Sequence, residues 1–96
     1  MRRAAKIDAN HEQVVSALRG AGARVLSLAA VGGGVPDLLV GYRFRFFALE
    51  VKDGSLPPSK RRLTPDQEEW HREWAEYPIV VVNNPEEALR AIGAVR

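Results

Sequence analysis

The sequence predicts an α/β fold in which helices flank a mixed central β-sheet. Three short apolar runs rich in Leu, Val and Phe follow one another between residues 24 and 52, as the strands of a meander do. A fourth run, residues 78–82, lies between two segments with helix-start signatures. A strand that follows a helix re-enters the sheet by a crossover, so the predicted order is αβββαβα around one mixed sheet.

The first half of the chain is predicted to form one helix and three strands. The helix is marked by Asn10 and Gln13 at its start, by the apolar stripe of Val14, Val15 and Leu18, and by Gly20 and Gly22 at its end. The strands are residues 24–31 (RVLSLAAV), 36–41 (PDLLVG) and 44–52 (FRFFALEVK), with a turn at Gly32 to Gly34. No helix opens after this triple glycine, which disfavours a dinucleotide-binding fingerprint.

The second half begins with a loop, residues 53–62 (DGSLPPSKRR), and continues with two capped helices. Thr64, Pro65 and Gln67 supply an N-cap, a first-turn proline and a capping-box partner. Trp70 and Trp74 are one turn apart, and we expect them on the buried side of this helix rather than as platforms for base stacking. Asn84, Pro85 and Glu87 repeat the cap chemistry for a last helix that runs through Ala88, Leu89 and Ile92.

Composition limits the class of protein. The 96 residues are 46% hydrophobic and 27% charged, which predicts a single small domain over residues 1–96. The chain has no cysteine, so disulfides and thiolate metal ligands are excluded and any metal must bind oxygen or imidazole. No stretch resembles a signal peptide or a transmembrane segment, and we expect a cytoplasmic protein without membrane contact.

The net charge is only +2, but the cations are clustered. Arg2, Arg3 and Lys6 lie at the start, and Lys60, Arg61 and Arg62 follow the proline-rich loop, whereas acids gather on the two later helices. Clustered cations in a nearly neutral chain favour one face for a polyanion. We therefore predict that Lys60, Arg61 and Arg62 contact a nucleic-acid backbone, the alternative being a merely solvated loop.

Two acids in the predicted hairpin need an explanation. A turn centred between Arg43 and Phe44 places Asp37 directly opposite Glu50, with Cβ atoms roughly 4.5–5.5 Å apart, where like charges repel. Because Arg43 and Phe44 are poor residues for a tight turn, a loop of four or more residues is the alternative. A shared divalent cation would relieve the repulsion between the carboxylates.

Lys52 is expected to join the two acids, because side chains alternate along a strand and Glu50 and Lys52 therefore share one sheet face. Carboxylate oxygens suit Mg²⁺ or Mn²⁺. A metal-activated water with a nearby ammonium is the chemistry of phosphodiester hydrolysis.

The residues of this hairpin resemble a known family. Pro36-Asp37 followed by Glu50-Val51-Lys52 resembles the signature of PD-(D/E)xK nucleases. More narrowly, GGGVPDLLVG, FFALEVK, a glutamate in helix one and LTPDQEEWH are similar to a VRR-NUC (virus-type replication-repair nuclease) domain, over nearly the whole chain.

The resemblance implies a restriction-endonuclease-like fold and a Mg²⁺- or Mn²⁺-dependent site. It makes Asp37, Glu50 and the Val51 carbonyl metal ligands and Lys52 the catalytic lysine. Glu12 would lie near the metal, and Gln67 would reach the site from helix two.

Each site residue also has a structural interpretation. Asp37 could cap a turn, Glu50 and Lys52 could be a solvated pair, Glu12 could be a surface carboxylate in a first turn, and Gln67 could serve only the capping box. His11 and His71 have no partner at ligand spacing and are expected at the surface or beside substrate.

The favoured function is a metal-dependent DNA endonuclease that acts as a homodimer and makes paired cuts, preferably in branched or junction DNA, as the resemblance also implies. The outer strand and the last helix are the candidate dimer interfaces. A non-catalytic nucleic-acid-binding module on the same scaffold is the alternative, and an assembly protein is a third class.

Overall fold

The fold is described here from a computed structural model, over residues 10–94. The helices are α1 (His11–Gly20), α2 (Pro65–Glu73) and α3 (Pro85–Ala91), and the strands are β1 (Arg24–Ser27), β2 (Leu38–Tyr42), β3 (Arg45–Val51) and β4 (Ile79–Val82). A single 3₁₀ turn, Pro58–Lys60, lies in the loop before α2. The sheet order is β1-β2-β3-β4; the first two pairs are antiparallel and β3 pairs with β4 in parallel. The predicted α/β class, mixed sheet and element order are confirmed.

Strand β1 is shorter than the predicted strand of residues 24–31. It ends at Ser27, whose hydroxyl accepts a hydrogen bond from the Ala29 amide at 3.3 Å. The Val31 amide then donates to the Leu28 carbonyl at 2.9 Å, which closes a turn. Serine competes with the sheet by offering the backbone a local partner, and it thereby ends the strand early.

The β2–β3 hairpin has the register that the sequence predicts. Leu38 faces Leu49 and Tyr42 faces Arg45, so the connection contains only Arg43 and Phe44. Both turn residues have positive φ, 48° and 68°, as in a type I′ turn. The alternative of a longer loop is wrong, because the chain accepts a left-handed conformation that costs roughly 1–2 kcal/mol per non-glycine residue.

One face of the sheet is covered by α1 and α3. We call it the closed face. Every second residue of β2, β3 and β4 projects from this face. These side chains pack in one apolar cluster with the apolar stripe of α1 and the inner side of α3. Its most buried members are Val14, Leu18, Leu38, Val40, Leu49, Val51, Val82, Ala88 and Ile92.

The opposite face, which we call the open face, lies under α2 and is loosely covered. No residue of α2 is buried, and Trp74 is 45% exposed, so the prediction that Trp70 and Trp74 share a buried helix side is wrong. The helix ends at Glu73, and Trp74 is its C-cap residue, whose amide still donates to the Trp70 carbonyl at 3.1 Å. The two indole rings stack on each other, with centroids 4.9 Å apart, beside an apolar groove of about 310 Å³.

Among residues 10–94, no helix is long and apolar enough to cross a membrane.

Candidate active site on the open face

Two charged side chains are buried at the carboxyl end of β3. Glu50 is 1% exposed and Lys52 is 8% exposed, and both project from the open face because they alternate with Leu49 and Val51 of the core. Burying a charged group is costly unless it is partnered. The interpretation of Glu50 and Lys52 as a solvated surface pair is therefore wrong.

Gln67 of α2 connects the two buried charges. Lys52 Nζ donates to Gln67 Oε1 at 2.9 Å, and Gln67 Nε2 donates to Glu50 Oε2 at 3.2 Å. Because an ammonium has only donors and a carboxylate only acceptors, the orientation of the amide between them is determined by chemistry. The side-chain amide thus holds both charged groups in fixed relative positions.

The same glutamine completes the helix cap, so its two suggested roles coexist. The backbone N–H of Gln67 donates to Thr64 Oγ1 at 3.2 Å, and the backbone N–H of Thr64 donates back to Gln67 Oε1 at 2.9 Å. This capping box fixes the first turn of α2. The side chain of Gln67 therefore takes part both in the cap of α2 and in the network on the open face.

Gly34, the last glycine of the turn, brings the loop before β2 against the same helix turn. Its φ is +85°, and a Cβ at this position would collide with the Asp66 carbonyl oxygen and lie 2.9 Å from the Gln67 nitrogen. Only glycine combines this conformation with this closeness. The loop that leads to Asp37 and the helix that carries Gln67 consequently pack backbone to backbone.

Asp37 is anchored to β3. Its Oδ2 accepts a hydrogen bond from the Val51 amide at 2.7 Å, just beyond the last paired residue of β2. Extending the hairpin register places Pro36 opposite Val51, and proline has no N–H to donate to the Val51 carbonyl. Asp37 thus does more than cap a turn, and the Val51 carbonyl has no backbone donor in β2.

Two residues near the site were not predicted to be catalytic or metal-binding, although a position beside substrate was one of the two alternatives for His71. His71 lies one helical turn after Gln67, and burial, followed by the positive charge of Lys52, lowers its pKa from the usual 6.5. The spacing of four between Gln67 and His71 on one helix was a usable signal.

Asn10 makes the second unpredicted contact. Its Nδ2 donates to the carbonyls of Lys52 and Asn83, at 3.0 and 2.8 Å, and its side chain does not cap α1 as predicted. It therefore ties the start of α1 to the ends of β3 and β4. His11, next to it, is buried, which rules out the surface position that was one of its two predicted alternatives.

The other predicted site residues are in the first turn of α1 and in the loop before α2. Glu12 is exposed in the first turn of α1. In the basic loop, Lys60 and Arg62 are exposed, whereas Arg61 Nε donates to the Leu56 carbonyl at 2.9 Å and closes the loop. The predicted cluster of Arg2, Arg3 and Lys6 lies outside the described residues.

The donor set at this end of the sheet fits a hard cation. Asp37, Glu50 and the Val51 carbonyl offer only oxygen, which Mg²⁺ and Mn²⁺ prefer. Within residues 10–94, no group of three or more His, Cys, Asp or Glu side chains is close enough to form a metal site. A metal here would therefore rest on two carboxylates and a backbone carbonyl, with water or substrate oxygens as further ligands.

Comparisons with protein-family models, with curated proteins and with solved structures found no match to this chain.

Proposed function

We propose that this chain is a Mg²⁺- or Mn²⁺-dependent endonuclease that hydrolyses DNA phosphodiester bonds, with the restriction-endonuclease-like topology of the PD-(D/E)xK superfamily and of its VRR-NUC group. The observation that carries the proposal is the Glu50–Gln67–Lys52 network. Of the charged side chains in residues 10–94, only Glu50 and Lys52 are buried, and one amide bonds to both.

Each residue of the site has a definite task in the proposal. Asp37, Glu50 and the Val51 carbonyl would hold the ion, which when bound supplies Lewis-acid activation for attack on phosphorus. Lys52 gives one of its three donors to Gln67, and the others can contact a phosphate oxygen and stabilise its growing negative charge. Gln67 is a positioning residue because it acts through Glu50 and Lys52.

DNA contact outside the site is assigned to the basic loop. Lys60 and Arg62 are exposed and can reach phosphates, while the backbone contact of Arg61 holds the loop in shape. Neutralising Lys60 and Arg62 should weaken DNA binding and reduce its salt dependence. Arg61→Gln should also alter the loop itself, so the double variant of Lys60 and Arg62 is the cleaner probe.

A homodimer and a preference for branched or junction DNA belong to the proposal. Strand β1 is an edge strand with Leu26 exposed, which supports it as an interface. The last helix is less suitable than the sequence suggested, because Ala88 and Ile92 are already buried in the core of the same chain. Light scattering at micromolar concentration tests the dimer, and a monomer that still makes paired cuts would refute the geometric reason for it.

Cleavage assays test the activity. Single-stranded, duplex, flapped and four-way DNA are incubated with the protein and Mg²⁺ or Mn²⁺, beside Glu50→Gln, Lys52→Met and Gln67→Ala. We expect Glu50→Gln and Lys52→Met to abolish cleavage and Gln67→Ala to reduce it strongly. Thr64→Ala is the matched control, because it removes the cap acceptor for the Gln67 amide but not the side-chain bridge. Salt-sensitive binding with no cleavage of any substrate would favour the non-catalytic alternative.

A further inference from the structure

The far end of the β2–β3 hairpin carries a second unusual surface. We call it the hairpin patch: Arg24, Arg43, Phe44, Arg45 and Phe46. Phe44 at the turn and Phe46 beside it are both largely exposed, Phe46 by 68%. We propose that the hairpin patch binds unpaired nucleotides, with the aromatic rings stacking on bases and the arginines contacting phosphates. The hairpin patch is separate from the proposed cleavage site. At roughly 3.3 Å per residue along the strand, Phe44 lies about 20 Å from Glu50.

Backbone strain at the turn is the first argument. Arg43 and Phe44 both adopt left-handed φ, whereas Asn-Gly would form the same turn with little strain. An exposed aromatic residue in that conformation helps neither packing nor turn formation. Strained positions that the fold does not require are concentrated at binding sites.

The charges around the turn are the second argument. The patch borders a shallow cavity of about 560 Å³, and every charged residue that lines it is an arginine. Arg43 and Arg45 lie over the rings of Tyr42 and Phe47, each at 5.2 Å, on the side of the hairpin that faces the core. Arg24 lies on the open face. Positive charge therefore flanks Phe44 on both sides of the hairpin, which suits a polyanion.

The neighbours of Gly41 are the third argument. Gly41 pairs with Arg24 and Phe46 in the sheet, and a Cβ on Gly41 would lie 3.8 Å from Arg24 Cβ and 4.0 Å from Phe46 Cε1. Because Gly41 has no side chain, a guanidinium-bearing residue and an aromatic ring lie next to each other across it. Planar bases stack on both kinds of group, and unpaired bases have the free ring faces that stacking needs.

Fluorescence anisotropy of the full chain with a labelled oligothymidylate of about ten nucleotides tests the proposal. We expect Phe44→Ala to weaken binding by about fivefold or more, and Phe44→Tyr to retain it because the ring is kept. Duplex DNA of equal length should respond little to Phe44→Ala, because its bases are already stacked. Replacing Arg24 and Arg43 by Gln should reduce the salt dependence of binding. The slope of log affinity against log salt concentration should become shallower by about 0.7 for each phosphate contact that is lost.

A turn variant separates binding from folding. Arg43→Asn combined with Phe44→Gly should raise the midpoint of chemical denaturation and yet weaken oligonucleotide binding. Phe44→Ala should weaken oligonucleotide binding equally in the inactive Lys52→Met variant, so the result does not depend on cleavage. Unchanged oligonucleotide affinity in both Phe44→Ala and the turn variant would overturn the proposal. If these variants instead change only the association state of the protein, the patch is a protein interface.

Discussion

The two faces of strand β3 are built from neighbouring residues and differ in almost every physical property. On the closed face, Phe47, Leu49 and Val51 are buried in a continuous apolar cluster under α1 and α3. On the open face, Phe46 is exposed, and Glu50 and Lys52 are buried in a polar network with Gln67. The closed face gains stability from apolar burial, whereas the open face buries charged groups, which is costly unless they are hydrogen-bonded.

The two phenylalanines of β3 give the largest expected contrast. Phe47 is 5% exposed and Phe46 is 68% exposed, although they are adjacent and identical. Phe47→Ala should lower the free energy of unfolding by about 3–5 kcal/mol, because it empties a packed site. Phe46→Ala should change it by about 0.5 kcal/mol or less. Urea denaturation measures both, and equal losses would mean that the open face is covered as well as the closed one.

Glycine substitutions in the loop before β2 test how firmly α2 is held over the open face. Gly33 and Gly34 both have positive φ, at 66° and 85°, but only Gly34 lies against the backbone of α2. Both alanine variants should therefore share the conformational cost of about 1–2 kcal/mol. Gly34→Ala should lose roughly 1–3 kcal/mol more because of overpacking. The excess, taken from denaturation midpoints, isolates the loop–helix contact; no excess would contradict that contact.

Asp37 allows the structural and the metal-binding roles of one carboxylate to be separated. Asp37→Ala removes the acceptor for the Val51 amide and should cost about 1–3 kcal/mol of stability. Asp37→Asn keeps a side-chain acceptor and should cost less, while both variants lose the charge that a cation needs. Calorimetric titration with Mn²⁺ and urea denaturation are run on the same samples. Unchanged Mn²⁺ binding in Asp37→Asn would remove Asp37 from the proposed metal site.

His71 gives the smallest expected effect, a pH dependence of the free energy of unfolding that arises on the open face. Burial and the charge of Lys52 lower the pKa of His71 below 6.5, so the folded chain binds this proton less readily than the unfolded chain. The free energy of unfolding is therefore highest above pH 6.5, where His71 is neutral in both states. It decreases as the pH falls from 6.5 through the lowered pKa, because protonation favours the unfolded chain. His71→Gln should flatten this part of the stability profile, measured by urea denaturation at several pH values. Equal slopes in both proteins would show that His71 does not titrate in this environment.

Much of the fold could be predicted because its signals are local. The capping box at Thr64 and Gln67 is visible in four consecutive residues, and the structure contains both of its hydrogen bonds. The hairpin register followed from the position of the turn, and its extension by one pair beyond Leu38 and Leu49 places Asp37 opposite Glu50. The element order and the mixed sheet follow from these segments and from the rule that a strand after a helix crosses over.

The sequence by itself determined which residue types stand at the end of the sheet, namely the acids of the hairpin and Lys52 two residues after Glu50. Only the tertiary structure decided which apolar residues are buried, because Phe46 and Phe47 are equal in hydrophobicity and differ only in what covers their faces of the sheet. The looseness of α2 and the position of His71 beside Lys52 were likewise decided by packing. These features depend on contacts between segments distant in the chain, and local propensity carries no information about such contacts.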